Sequence, residues 1–74
     1  MPQMQAVDSS LIEAIGYDPT TRELHVQLAD AGLYIYFDVE PEIVNALLRA
    51  ESKGAFFNQV LKPRGYRYEK RGAE

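Results

Sequence analysis

A chain of 74 residues without a single cysteine has to be held together by packing alone. A domain of this size buries only ~60% of the surface that its unfolded chain exposes. No disulfide and no thiolate-bound metal can make up the difference. One economical core, standing alone or completed by a second copy, is therefore the ceiling. The longest apolar run, residues 33–37, falls far short of the ~20 residues of a membrane span. Residues 1–10 carry neither a basic start nor an apolar stretch of signal-peptide type. The expectation is one soluble, cytoplasmic domain over residues 7–68, with flexible ends at 1–6 and 69–74.

Periodicity places strands before helices. In residues 11–17, Ile12, Ile15 and Tyr17 suggest a short strand. Asp18-Pro19-Thr20-Thr21 follows as a turn, with an aspartate that bonds its own backbone and a proline that presets φ. Leu24, Val26 and Leu28 alternate with His25, Gln27 and Ala29, the period-two pattern of a strand with one buried face. Asp30-Ala31-Gly32 makes the next reversal, and residues 33–37 form a third strand. Helical spacing then takes over. Pro41 suits a first helical position, and Ile43, Ala46, Leu47 and Ala50 form one stripe. Ser52 and Gly54 mark a corner before a second helix carrying Phe56, Phe57, Val60 and Leu61, which Pro63 and Gly65 stop. Tyr66-Arg67-Tyr68 adds an edge strand or extends as tail. The predicted fold is α+β: a three-stranded antiparallel meander with two short helices packed on one face.

Charge divides this chain sharply. Residues 1–51 hold two basic side chains against nine acidic ones, and residues 52–74 hold six against two, so −7 and +4 add to the overall −3. The basic end also carries Phe56, Phe57, Tyr66 and Tyr68, and so combines cations with rings as a nucleic-acid contact surface does. Lys53, Lys62, Arg64 and Arg67 are the candidate phosphate contacts. Tyr66, Tyr68, Tyr34 and Tyr36 are the candidate stacking rings. For Tyr34 and Tyr36 the strand register decides. With Leu28 opposite Leu33, both tyrosines share the polar face with His25 and Gln27. A slip of one residue turns them into the core beside Leu24, Val26 and Leu28, the commoner place for paired aromatics in a tiny domain. Ser52-Lys53-Gly54 can present N–H groups and a cation to a phosphate, or serve simply as a helix-to-helix corner. The basic end itself reads equally well as a solubilising terminus.

Catalytic and metal chemistry finds little to build on. His25 is the only histidine and is expected as a solvated strand residue, with no histidine cluster and no cysteine beside it. Ser9-Ser10 stand outside any Gly-x-Ser-x-Gly context, which makes them strand-entry residues rather than nucleophiles. The carboxylates, from Asp8 to Glu42, follow turns and helix starts rather than a calcium loop. The expected protein is not an enzyme and holds no metal, cofactor or small-molecule substrate.

Five landmarks occur in order: Ile15-Gly16-Tyr17-Asp18-Pro19; Tyr34-Ile35-Tyr36 followed by Val39 and Pro41; Ser52-Lys53-Gly54; Phe57-Asn58; and Tyr66-Arg67-Tyr68. In these residues the chain resembles the KTSC domain family over nearly its whole length. That family is named for a C-terminal segment of some lysyl-tRNA synthetases and also occurs as free-standing small bacterial proteins. Glu40 separates Val39 from Pro41 where the family tends to run valine straight into proline, and Lys62-Pro63-Arg64-Gly65 is a local variation. The resemblance implies a small non-enzymatic module with RNA, tRNA included, as its leading partner. The alternative is an interaction module that docks on a protein, or on a second copy of itself, through the aromatic strand and Phe56-Phe57.

Overall fold

A computed structural model describes residues 4–7 and 9–71, and the expectations for residues 1–3, Asp8 and 72–74 lie outside the described residues. The sheet has five strands rather than three, all antiparallel and in sequence order: β1 (Gln5–Ala6), β2 (Ile12–Asp18), β3 (Glu23–Leu28), β4 (Gly32–Tyr36) and β5 (Tyr68–Arg71). The meander read from the sequence is its centre, β2 to β4. β5 is the edge strand offered at Tyr66-Arg67-Tyr68, shifted to begin at Tyr68, and β1 escapes a sequence reading; neither has an apolar alternation of its own, and all their residues are exposed. They are strands because β2 and β4 offer unpaired backbone along their outer edges. They draw Gln5–Ala6 and Tyr68–Arg71 into the sheet, so pairing runs into both stretches left outside the expected domain.

Each turn follows from its residues. Asp18 Oδ1 accepts the Thr20 N–H at 2.9 Å, and Arg22 closes the β2–β3 turn with φ +59° and an N–H bond to Asp18 O at 2.7 Å. Gly32 takes φ +85° at the β3–β4 reversal, where a side chain would be strained. Pairing of Leu28 with Gly32, Val26 with Tyr34 and Leu24 with Tyr36 is the register that turns Tyr34 and Tyr36 toward the core face. An irregularity between Ile12 and Ala14 lets both Ile12 and Ile15 reach that face, although they stand three residues apart.

The chain between β4 and β5 carries the helices across one face of the sheet. α1 (Pro41–Arg49) starts on its proline and carries Arg49 in its last turn, where a cation complements the helix dipole. Its buried residues are Val44 and Leu47, with Ile43 and Leu48 packed beside them, so Val44 and not Ala46 or Ala50 leads the apolar stripe. Ser52 Oγ accepts the Ala55 N–H at 3.2 Å and caps α2 (Lys53–Phe56). The same helical path continues as a π turn (Phe57–Leu61) and a 3₁₀ turn (Lys62–Arg64), and ends at Gly65 with φ +79°. Phe57 and Leu61 drop from it into a core with Ile12, Ile15, Leu24, Val26, Tyr36, Val39 and Leu47.

His25 corrects the sequence reading. It lies on the face away from the helices, on the central strand between Gly16 and Ile35, and is only 2% exposed. Its Nε2 lies 3.3 Å from Glu23 Oε1, while its Nδ1 has no partner among the described residues.

Candidate nucleic-acid interface

Helices cover the sheet from β2 to β4 and leave its β5 end open. Cross-strand pairing sets Tyr36 beside Tyr68 and Tyr34 beside Lys70 on the helix side of the sheet. The rings of Tyr34, Tyr36 and Tyr68 form a tight group. Tyr36 and Tyr68 have centroids 5.3 Å apart, Tyr34 and Tyr68 5.7 Å, and Tyr34 and Tyr36 6.4 Å with their planes 18° apart. Phe57 meets Tyr36 edge-on at 5.8 Å from below. Across from this group the helical path ends in Lys62 and Gly65, and the chain returns through Tyr66. Together Tyr34, Tyr36, Tyr66, Tyr68, Lys62 and Gly65 line a cleft of about 320 Å³.

The rings differ in what they can offer. Tyr36, 4% exposed, is the floor; Tyr34 and Tyr66 are half-buried walls; Tyr68, 54% exposed, is the open one. Burial, with Tyr68 and Tyr34 alongside, raises the Tyr36 phenol from its ordinary 10 to about 12. Two ammonium groups flank the rings. Lys62 Nζ stands 5.5 Å from the Phe57 ring centre, and Lys70 Nζ stands 5.9 Å from that of Tyr34.

At the rim, Glu40 holds two neighbours at once. It accepts from the Tyr66 hydroxyl and from Arg64 Nη2 at 2.7 Å, while Arg64 Nε donates to the Tyr66 oxygen at 2.7 Å. The hydrogen bond from Tyr66, with Arg64 nearby, keeps the Glu40 carboxyl below the usual carboxylate range. Burial and that same bond raise the Tyr66 phenol. Glu40, between Val39 and Pro41, thus fixes the wall of the cleft and occupies Arg64.

Five of the eight candidate residues converge here: Lys62, Tyr34, Tyr36, Tyr66 and Tyr68. Arg64 is at the rim but engaged by Glu40. Arg67 belongs to the opposite face, where its guanidinium lies 4.9 Å over the Phe37 ring, because alternation along β5 turns residue 67 away from residue 68. Lys53 lines a separate polar hollow of about 460 Å³ with Ser9, Ser10, Glu51, Ser52 and Asn58, and donates to Ala50 O at 3.3 Å. The polar groups of that hollow serve local structure. Ser9 Oγ accepts the N–H groups of Leu11 and Ile12, each at 3.3 Å, and a side chain at Gly54 would press on Leu11 Cβ at 3.2 Å. Ser52-Lys53-Gly54 is accordingly a tightly packed corner. Phe57 is buried and Phe56 packs against the core, so that pair offers no docking patch. Among the described residues no group of three or more His, Asp or Glu side chains is placed to hold a metal ion, and no helix is long and apolar enough to cross a membrane. Lys70 belongs to the basic tail that the sequence shows but not to the phosphate contacts chosen from it, although its spacing of two from Tyr68 is the signal that puts both on one side of a strand.

Comparison with known proteins gives the lineage. The KTSC domain profile matches residues 8–66. A protein of Stutzerimonas stutzeri is 49% identical over 63 residues, covering 85% of this chain and 89% of its own. A lysine–tRNA ligase of Nostoc sp. (strain PCC 7120) is 34% identical over 62 residues, 84% of this chain but only 11% of the ligase. A crystal structure of a KTSC domain protein from Yersinia pestis superposes with a TM-score of 0.91 at 39% identity, covering 97% of this chain and all of that one. By sequence and by fold alike, the chain belongs to the KTSC domain family.

Proposed function

We propose that this domain is a non-enzymatic cytoplasmic binding module whose partner is RNA, gripped at the tyrosine cleft. The observation that carries the reading is the juxtaposition of accessible rings with two ammonium groups, Lys62 and Lys70, at the β5 end of the sheet. Rings stack on bases whatever their identity, and lysines meet phosphates as point charges. A ligand that carries its own cation would find both flanks already positive, which favours an anionic aromatic partner. What supports a binding rather than a catalytic reading is that the single histidine is buried on the far face and that Glu40, the carboxylate at the rim, is taken up by Tyr66 and Arg64. The ligase of Nostoc that carries a similar segment makes lysine tRNA the first RNA to try.

The test is fluorescence anisotropy of labelled lysine tRNA and of an unrelated single-stranded RNA, each at about 50 and about 200 mM salt. Micromolar binding that weakens with salt and is lost in a Lys62→Ala, Tyr68→Ala double variant supports the module. An Arg67→Ala variant, altered on the opposite face, serves as the control and should bind normally. Absence of binding to either RNA at tens of micromolar discards the reading and turns the search to a protein partner.

A further inference from the structure

Resting on the RNA reading, we infer that the cleft is a subsite for one unpaired nucleotide, its base against Tyr68 and its two flanking phosphates on Lys62 and Lys70. Size is the first argument. At about 320 Å³ the cleft stands at the small end of the ~300–1,000 Å³ range of ligand pockets, enough for one ring system with its sugar but not for a stack. Its floor, Tyr36, is closed by Phe57 beneath, so nothing passes deeper.

Charge is the second argument. Four cations lie near the rim of the cleft or on β5, and two of them, Lys62 and Lys70, have no carboxylate partner among the described residues. Arg64 is engaged by Glu40, and Arg71 pairs with Glu69 at 2.9 Å on the opposite face. Lys62 rises from the helical side and Lys70 from the strand side, so a strand crossing the cleft meets one of them before its base and the other after it. Beyond these, residues 1–51 carry a formal −7 that opposes a polyanion, and the remaining basic residues of the C-terminal end, Lys53 and Arg67, lie away from the cleft. Affinity is therefore local: one base, two phosphates. A duplex cannot supply the base without unpairing it, which costs a few kcal/mol.

The chain supplies its own reporter. It has no tryptophan, and four of its five tyrosines line the cleft, so tyrosine emission reads this site directly. Titrations with 5′-phosphorylated uridine oligonucleotides of one to eight residues, and with a blunt RNA hairpin stem, should show affinity rising to two nucleotides, the shortest that sets a phosphate on each side of one base, and thereafter growing no faster than the number of equivalent registers, about sevenfold at eight. The stem should bind at least about tenfold more weakly. The logarithmic salt slope for the trinucleotide should be about −1.4, the value for two phosphates on a single strand. Tyr68→Phe should retain binding and Tyr68→Ala should lose about tenfold or more, since the ring and not the hydroxyl makes the stack. Affinity that climbs with length faster than the number of registers, or a stem that binds as well as a single strand, overturns the single-nucleotide subsite while leaving an RNA module standing. No response to any oligonucleotide or to tRNA overturns both.

Discussion

At the scale of single residues, the tyrosines separate by depth, and so should their variants. Tyr68 is more than half exposed, so Tyr68→Ala should barely alter folding yet remove a stacking contact worth ~1–3 kcal/mol, or roughly 5- to 150-fold in affinity. A thermal melt beside a binding titration checks both halves, and a large fall in melting temperature would mean that Tyr68 is structural. Tyr36 should behave oppositely. Its phenol is raised to about 12 in the fold against about 10 when exposed, so the folded state holds its proton more tightly than the unfolded chain does. The stabilisation is complete below about pH 10 and is lost as pH climbs toward 12, because there the unfolded chain ionises first. Tyr17 and Tyr66, also raised by burial, push the same way. Alkaline unfolding followed by circular dichroism should therefore begin near pH 10, and Tyr36→Phe should move it upward. An unchanged midpoint in that variant would assign the effect to other groups.

At the scale of elements, the turns and the central strands were legible because each depends on its own residues. Asp18, Gly32 and the Leu24-Val26-Leu28 alternation specify their conformations locally. The register was not legible, since both pairings of β3 with β4 bury an apolar set; what decides between them is the short turn at Gly32 and the helical side's need for Tyr36 above Phe57. β1 was hidden, and the bounds of β5 with it, for a different reason: they are edge strands whose pairing belongs to their neighbours. The site was half legible. Its rings and Lys62 could be named from composition, but Arg64, Arg67 and Lys70 could be sorted only by knowing which face each occupies. Gly65 illustrates how an element's end shapes that site. It stops the helical path at φ +79°, and a β-carbon placed there would have nothing within 4 Å, so Gly65→Ala would meet no clash, only backbone strain of ~1–2 kcal/mol. The melting temperature should fall by about 4–8 °C per kcal/mol in a domain of this size. Phe57→Ala, which empties the centre of the core, should cost ~3–5 kcal/mol, enough to unfold most of the chain at room temperature.

At the scale of the whole molecule, the arrangement answers the difficulty posed by a small chain without crosslinks. The helices cover the middle of the sheet and β5 closes β4, whose backbone would otherwise run unpaired beside Leu33 and Ile35. The closing strand then becomes the exposed edge itself, and three of its four residues, Glu69, Lys70 and Arg71, are charged. Charge on an edge strand discourages a second sheet from pairing with it. Lys70 thus serves solubility whether or not RNA is bound, which explains how a basic end can suit both readings of its composition. Replacing Glu69, Lys70 and Arg71 together by threonine keeps strand propensity and removes that protection. The triple variant should show a higher mass than the unaltered chain in light scattering at high micromolar concentration, growing with concentration. If the two masses stay equal, the edge is kept unpaired by its shortness or twist rather than by its charge, and Lys70 is left with the cleft as its reason to be there.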